Sequence, residues 1–280
     1  MPSSRRMILL CARQELVLAL RSRWTQVFAV VFAGLALAVA ASGYILSGGS
    51  GVQDFARTAS SLVRLVLLLV PLTALLIGVT ALAPERGAAE LLFAQPVGRG
   101  TILFGKLLGL FQALAAAQAL GFGAAGLVIF SQSGGVGWEG FALLFAGSLA
   151  LTAIFLGIAA LLAARAIGRK RARALALALV VWFLAVVLID VVALGLASLL
   201  PSFYASRVLI ATVLANPVDA IRTGTLLGIE GTAAFGAGSL ALLRFTHGPV
   251  GAAICLSLSV LLWIVAPSLW ALRRLRRADL

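Results

Sequence analysis

Six stretches of this chain each run for more than 20 residues with almost no charge: Thr25–Ser47, Ser60–Ala83, Leu103–Phe130, Phe141–Ala164, Ala174–Leu199 and Pro249–Leu272. About 20 apolar residues in a helix cross the roughly 30 Å hydrocarbon layer of a bilayer. Backbone placed in that layer satisfies its polar groups only as a helix or a closed barrel, and runs of this length fit helices. The expected fold is therefore an all-α polytopic membrane protein with six transmembrane helices. Composition closes the alternative: 62% of residues are hydrophobic and 11% charged, against about 25% charged in soluble domains, so a water-soluble globule is excluded.

The 22 Lys and Arg exceed the 9 Asp and Glu, for a formal charge of +13. In a soluble domain such an excess would point to nucleic acid; here its distribution explains it. Arg5, Arg6, Arg13, Arg21 and Arg23 precede the first span, and Arg86, Arg99 and Lys106 fall between the second and third. Arg165, Arg169, Lys170, Arg171 and Arg173 follow the fourth, and Arg273, Arg274, Arg276 and Arg277 follow the sixth. The opposite side holds Arg57, Arg207, Arg222 and Arg244. Positive residues concentrate on cytoplasmic loops, so both termini are expected in the cytoplasm (N-in/C-in) and the basic excess is expected to meet anionic lipid.

Residues 1–23 are read as an interfacial helix. The outer segment 201–248 carries two short apolar pieces, Val208–Ala215 and Phe235–Leu243, too short to cross and separated by Asp219, Arg222 and Glu230. They are read as re-entrant or surface-lying helices. Within the membrane, Asp190 lies deep in the fifth run and Arg64 in the second. An intramembrane charge is either structurally paired or part of a pathway; an Arg64–Asp190 ion pair and an ion relay through Asp190 are both open at this point.

Gly105, Gly109, Ala113, Ala117, Gly121 and Ala125 recur at every fourth residue of the third run, a pattern that lets helices approach closely in lipid. Two nucleotide-like strings are decoys. Gly100–Lys106 has P-loop spacing, but Leu107 replaces the Ser or Thr that holds Mg²⁺. Gly121–Gly126 spells a dinucleotide fingerprint inside a span. No Cys, His, Asp or Glu cluster has metal-ligand spacing, and no nucleophile has a base nearby. Catalysis by this chain is not expected, and neither a metal nor another cofactor is expected on it.

The cytoplasmic loop 84–101 is the most informative stretch. Ala88–Ala94 can form about two turns of helix, with Arg86 and Glu90 four residues apart and Pro96 as a stop. Leu91, Leu92 and Phe93 then make an apolar knob on the wet side, which suits docking to a partner. The order Glu85, Gly87, Glu90-Leu91-Leu92, Gln95-Pro96-Val97 and Arg99 resembles the coupling loop of type-2 ABC exporter permeases (ABC-2). The six-span layout extends that resemblance over the whole chain, as one transmembrane domain covering 1–280.

Within the family, Arg13-Gln14-Glu15-Leu16, Leu67–Leu72 and Asn216-Pro217-Val218-Asp219 are similar to permeases that serve copper-site maturation of nitrous oxide reductase. That resemblance implies a homodimer in the bacterial inner membrane. It also implies two soluble P-loop ATPase subunits, which hold ATP and Mg²⁺ and dock on Glu85, Arg86, Gly87, Glu90, Leu91, Leu92, Phe93, Gln95, Pro96 and Arg99. A periplasmic partner would meet the outer segment, where Asn216, Pro217, Asp219 and Arg222 are the contact candidates. Only 2 Met, 2 Cys and 1 His occur, too few soft ligands for a copper path through the spans. A generic exporter of lipid, drug or peptide, or an ion-coupled transporter using Asp190, is the alternative.

Overall fold

A computed structural model describes residues 4–47, 52–83, 98–133, 137–165, 171–230 and 237–277. These are helical almost throughout, with no strand among them. The elements are α1 (Ser4–Arg21), α2 (Arg23–Ser47), α3 (Val52–Leu82), α4 (Arg99–Ser133), α5 (Trp138–Arg165) and α6 (Arg171–Phe183). A π-helical turn (Leu184–Leu188) leads into α7 (Ile189–Leu199), followed by α8 (Ser202–Ala215), α9 (Pro217–Glu230), α10 (Ala237–Phe245) and α11 (Pro249–Arg277). Six helical stretches are long and apolar enough to cross a membrane: Arg23–Gly43, Thr58–Leu82, Arg99–Ser131, Trp138–Arg165, Arg171–Leu199 and Pro249–Arg277. Several end in arginines beyond the apolar runs, whose long stems keep the charge in water while the helix continues.

The segment 201–248 holds short helices where they were expected, α8 covering Val208–Ala215 and α10 overlapping Phe235–Leu243, and it adds a third between them. Asp219, Arg222 and Glu230 do not interrupt helix there; they lie on α9. The local chemistry favours this helix. Asn216 caps it, its side-chain oxygen accepting from the Val218 amide at 3.2 Å, and Pro217 occupies the first helical position, where a missing N–H costs nothing. The end of α8 is closed from α11, where Ser259 donates to the Leu214 carbonyl at 2.6 Å and Trp263 to the Ala215 carbonyl at 3.1 Å.

α5 is the central helix, packed against α3, α4, α9 and α11. Its buried residues include Leu144, Leu151, Phe155, Ala159 and Ala163, and apolar side chains on every face are what such a position requires. At mid-span Gln118 of α4 donates to the Thr152 hydroxyl at 2.7 Å, and Thr152 donates to the Ser148 carbonyl at 2.9 Å. Such bonds tie apolar rods together where hydrocarbon offers no alternative partner.

The small-residue ridge of α4 faces two neighbours in the same chain. Gly105 and Gly109 lie against Ile8, Cys11, Ala12 and Glu15 of α1, while Gly121 lies against Phe32 of α2. Ala113, Ala117 and Ala125 are buried beside them. A methyl at Gly109 would meet the Ala12 carbonyl and come within 2.8 Å of the Glu15 Cβ. Gly109→Val is therefore expected to cost about 1–3 kcal/mol, the scale of overpacking. Gly123, where an added methyl would meet nothing within 4 Å, should accept Ala with no loss and a gain of up to about 1 kcal/mol. Thermal unfolding in detergent compares the two; equal losses would show that α1 does not depend on this contact.

Candidate functional site

The fifth span carries an irregularity that organises its polar neighbours. In the π-turn the Ile189 amide donates to the Leu184 carbonyl, five residues back, so it leaves the Ala185 carbonyl to another donor. Asn216 supplies one, its amide donating to Ala185 at 2.7 Å. One extra residue in a helix of 3.6 residues per turn rotates the rest of the span by about 100°, and such bulges recur at functional sites. The first residue pair beyond the bulge, Ile189-Asp190, starts α7 in its new orientation.

Asp190 accepts from Arg222 of α9, with Nη1 to Oδ2 at 2.6 Å, and the other Arg222 nitrogen lies 2.7 Å from Oδ1 of Asp219. Asp219 also accepts from the Asn216 amide at 2.9 Å. Two carboxylates from different helices thus share one guanidinium, and Asn216 joins them to the π-turn. The Asp219 side chain is 2% exposed, against 25% for Asp190 and 40% for Arg222. Burial, followed by the hydrogen-bonded Asp190 carboxyl, pushes Asp219 from 3.8 up to about 7, with Arg222 opposing the rise. Chemically this is a latch in which one proton decides whether the triad carries a negative charge.

Arg64 is not the partner of Asp190. It faces no carboxylate among the described residues, and it lines a cavity of about 500 Å³ together with Ser60, Leu67, Val186 and Arg222. Beyond the π-turn, Asp190 is oriented to Arg222 instead. Asn216 and Asp219 are likewise not surface contacts: they are 2% and 1% exposed, because the cap and the ion pair draw both side chains inward.

A second set of contacts brackets the 84–101 loop. Glu85, Arg86, Gly87, Glu90, Leu91, Leu92, Phe93, Gln95 and Pro96 lie outside the described residues, but the two roots of the loop do not. Before it, the last turn of α3 presents carbonyls with no partner in the helix. Lys106 donates to Ala81 at 3.2 Å and Arg171 to Thr80 at 2.7 Å. Lys106 also lies 3.4 Å from Glu15 of α1. After the loop, Arg99 donates to the Leu275 carbonyl in the last turn of α11 at 2.7 Å. Cations at helix C-termini meet the negative end of the dipole. Sequence reasoning singled out Arg99 but missed Lys106 and Arg171; Lys106 stood out as a lone cation about two turns into its helix, whereas Arg171 was hidden in the basic run Arg169–Arg173.

Six helices long and apolar enough to cross a membrane make this a multi-pass membrane protein, and comparison with known proteins defines its class. Residues 9–280 match the ABC-2 family of transporter proteins, and the chain belongs to that family. It is similar to NosY of Stutzerimonas stutzeri, a probable ABC transporter permease protein, with 37% identity over 274 residues covering 95% of this chain and 96% of that one. NosY of Pseudomonas aeruginosa is 35% identical over 258 residues, covering 90% of this chain and 91% of its own.

The shared guanidinium makes two predictions. Arg222→Leu leaves two acids without their cation and should cost about 3 kcal/mol, the low end for a buried pair because Arg222 is 40% exposed. Between pH 3.8 and about 7 the unfolded chain loses the Asp219 proton while the folded chain keeps it. The contribution of Asp219 is thus most favourable below pH 3.8 and declines as pH rises through 7. Asp219→Asn should flatten the pH dependence of unfolding across that window; an unchanged slope would place the proton elsewhere.

Proposed function

We propose that this chain is the permease of a NosY-type ATP-driven system in the bacterial inner membrane, with both termini cytoplasmic. In this reading two copies form a homodimer, and two soluble P-loop ATPases resembling NosF dock on the 84–101 loops. A periplasmic protein resembling NosD sits over the outer helices. ATP and Mg²⁺ are held by the ATPases; their closure moves the loops, and the permease passes that motion outward in support of copper-site maturation of nitrous oxide reductase.

The observation that carries this reading is the pinning of both loop roots. A force applied between Ala83 and Gly98 is handed to α3 and α6 through Thr80 and Arg171, to α1 and α4 through Lys106, and to α11 through Arg99. The same bonds that satisfy open carbonyls at the helix ends join the loop roots to neighbouring helices, so they can carry load between them. The relatives, named as probable NosY permeases of ABC transporters, support the NosY-type reading. Of soft metal donors, Cys11 and Cys255 are unpaired thiols on α1 and α11. Mechanical transmission, or passage of a sulfur-containing species, therefore fits this chain better than a relay of copper sites.

The test is mass spectrometry of the complex recovered with the C-terminally tagged chain under mild extraction. A P-loop ATPase and a periplasmic protein in near-equal amounts are expected, and Leu91→Asp/Phe93→Asp should remove the ATPase while leaving the permease folded. Recovery of the ATPase alone would favour a general ABC-2 exporter. Undiminished ATPase binding by the double variant would reject docking at this loop.

A further inference from the structure

Between the ends of α5 and α11 lies a cleft of about 820 Å³ whose two halves differ in chemistry. Its floor and walls are Ala164, Ala266 and Leu269, and its mouth carries Arg273, Arg274 and Arg277. Trp270 stands where the halves meet, and the Arg165 guanidinium lies 5.5 Å above its ring. On α11 these positions recur at three- and four-residue intervals, so they form one continuous face. The opposite face, with Pro267, Ala271 and Leu275, is buried in the protein. From Ala266 to Arg277 the stripe climbs about 16 Å at 1.5 Å per residue, from within the apolar run to the basic terminus.

We propose that this cleft binds one anionic phospholipid, its phosphate held by Arg273, Arg274 and Arg277 and an acyl chain lying along Ala164, Ala266 and Leu269. No carboxylate lines the cleft among the described residues, so the charge of the mouth is unopposed by its walls. Two features select a lipid over a soluble anion or an acidic protein surface. The apolar half continues into the span, where only hydrocarbon reaches, and Trp270 occupies the headgroup level that indole rings favour. Basic pockets between transmembrane helices on the cytoplasmic side are suited to anionic headgroups. Leu275, whose carbonyl receives Arg99, is on the same turn of α11, so the lipid would brace the helix end that anchors the 84–101 loop. The cytoplasmic placement rests on the topology proposed above; the cleft itself does not.

The test uses the full chain in a neutral detergent, with native mass spectrometry after addition of phosphatidylglycerol or phosphatidylcholine of the same acyl composition. The wild type should retain one phosphatidylglycerol per chain under conditions that strip phosphatidylcholine. Arg273→Gln/Arg274→Gln/Arg277→Gln should weaken retention at least about tenfold, since each cation contributes to attraction for an anionic headgroup. Arg5→Gln/Arg6→Gln, which lowers charge elsewhere, should leave it intact. Ala266→Trp keeps every arginine, fills the apolar half, and should weaken retention comparably, so the test survives if the triple variant fails to fold. Equal retention of phosphatidylcholine, unchanged retention in a folded triple variant or in Ala266→Trp, or displacement by millimolar inorganic phosphate would overturn the proposal. Binding in detergent is indifferent to which way the cleft faces. Labelling of the C-terminus in sealed vesicles tests the topology separately.

Discussion

One guanidinium ties the fifth span to a helix of the 201–248 segment that follows it. Arg222 bridges Asp190 of the fifth span and Asp219 of α9, and Asn216 links the same group to the carbonyl freed by the π-turn. In a medium that solvates charge poorly, each member depends on the others. Without Arg222 the two acids repel; without the bulge Asp190 points elsewhere; without Asn216 both the start of α9 and the Ala185 carbonyl lose their partner. α9 is also seated on the spans by apolar side chains, with Val218 and Ile221 in the main core and Ala220 against Leu256 of α11. The ionic group adds direction to that attachment, and it is the part that one proton can alter.

The end that carries the 84–101 loop is built on a related principle with neutral acceptors. Lys106, Arg171 and Arg99 each donate to a carbonyl at the end of another helix, so cations satisfy orphaned backbone groups and fasten neighbouring rods together. Between these two polar layers α5 packs on α3, α4, α9 and α11. The proposed transmission from loop to outer helices rests on that construction: packed helices, pinned at one end to the loop and at the other to an ionic latch.

The spans were legible because length and apolarity are one-dimensional properties, and six runs announced six helices. α9 was not, because membrane-length reasoning counts charges as interruptions. The local code was nonetheless present in Asn216-Pro217 followed by Asp219, a cap, a first-position proline and an acid in the first turn. The partner of Asp190 was beyond reach for a different reason. Depth along a helix can be counted from sequence, but azimuth after a π-turn depends on which donor claims Ala185, and that donor comes from 31 residues away. Spacing likewise marked the ridge Gly105–Ala125 without saying which helix would lie on it. The apolar knob at Leu91–Phe93 falls outside the described residues, so its docking role rests on sequence and on the anchored roots.

The central claim is that nucleotide state at the loop moves the outer helices through this framework. It is tested most directly by spin labels at Trp138, where α5 begins, and Phe245, where α10 ends, with Cys11 and Cys255 replaced by Ser. Both label sites are exposed, at 62% and 64%. Electron–electron distance measurements on the complex with its ATPase, with and without a non-hydrolysable ATP analogue and Mg²⁺, should show a shifted distance that Arg222→Leu abolishes. The same distance in both nucleotide states, or a shift that persists in Arg222→Leu, would contradict the account.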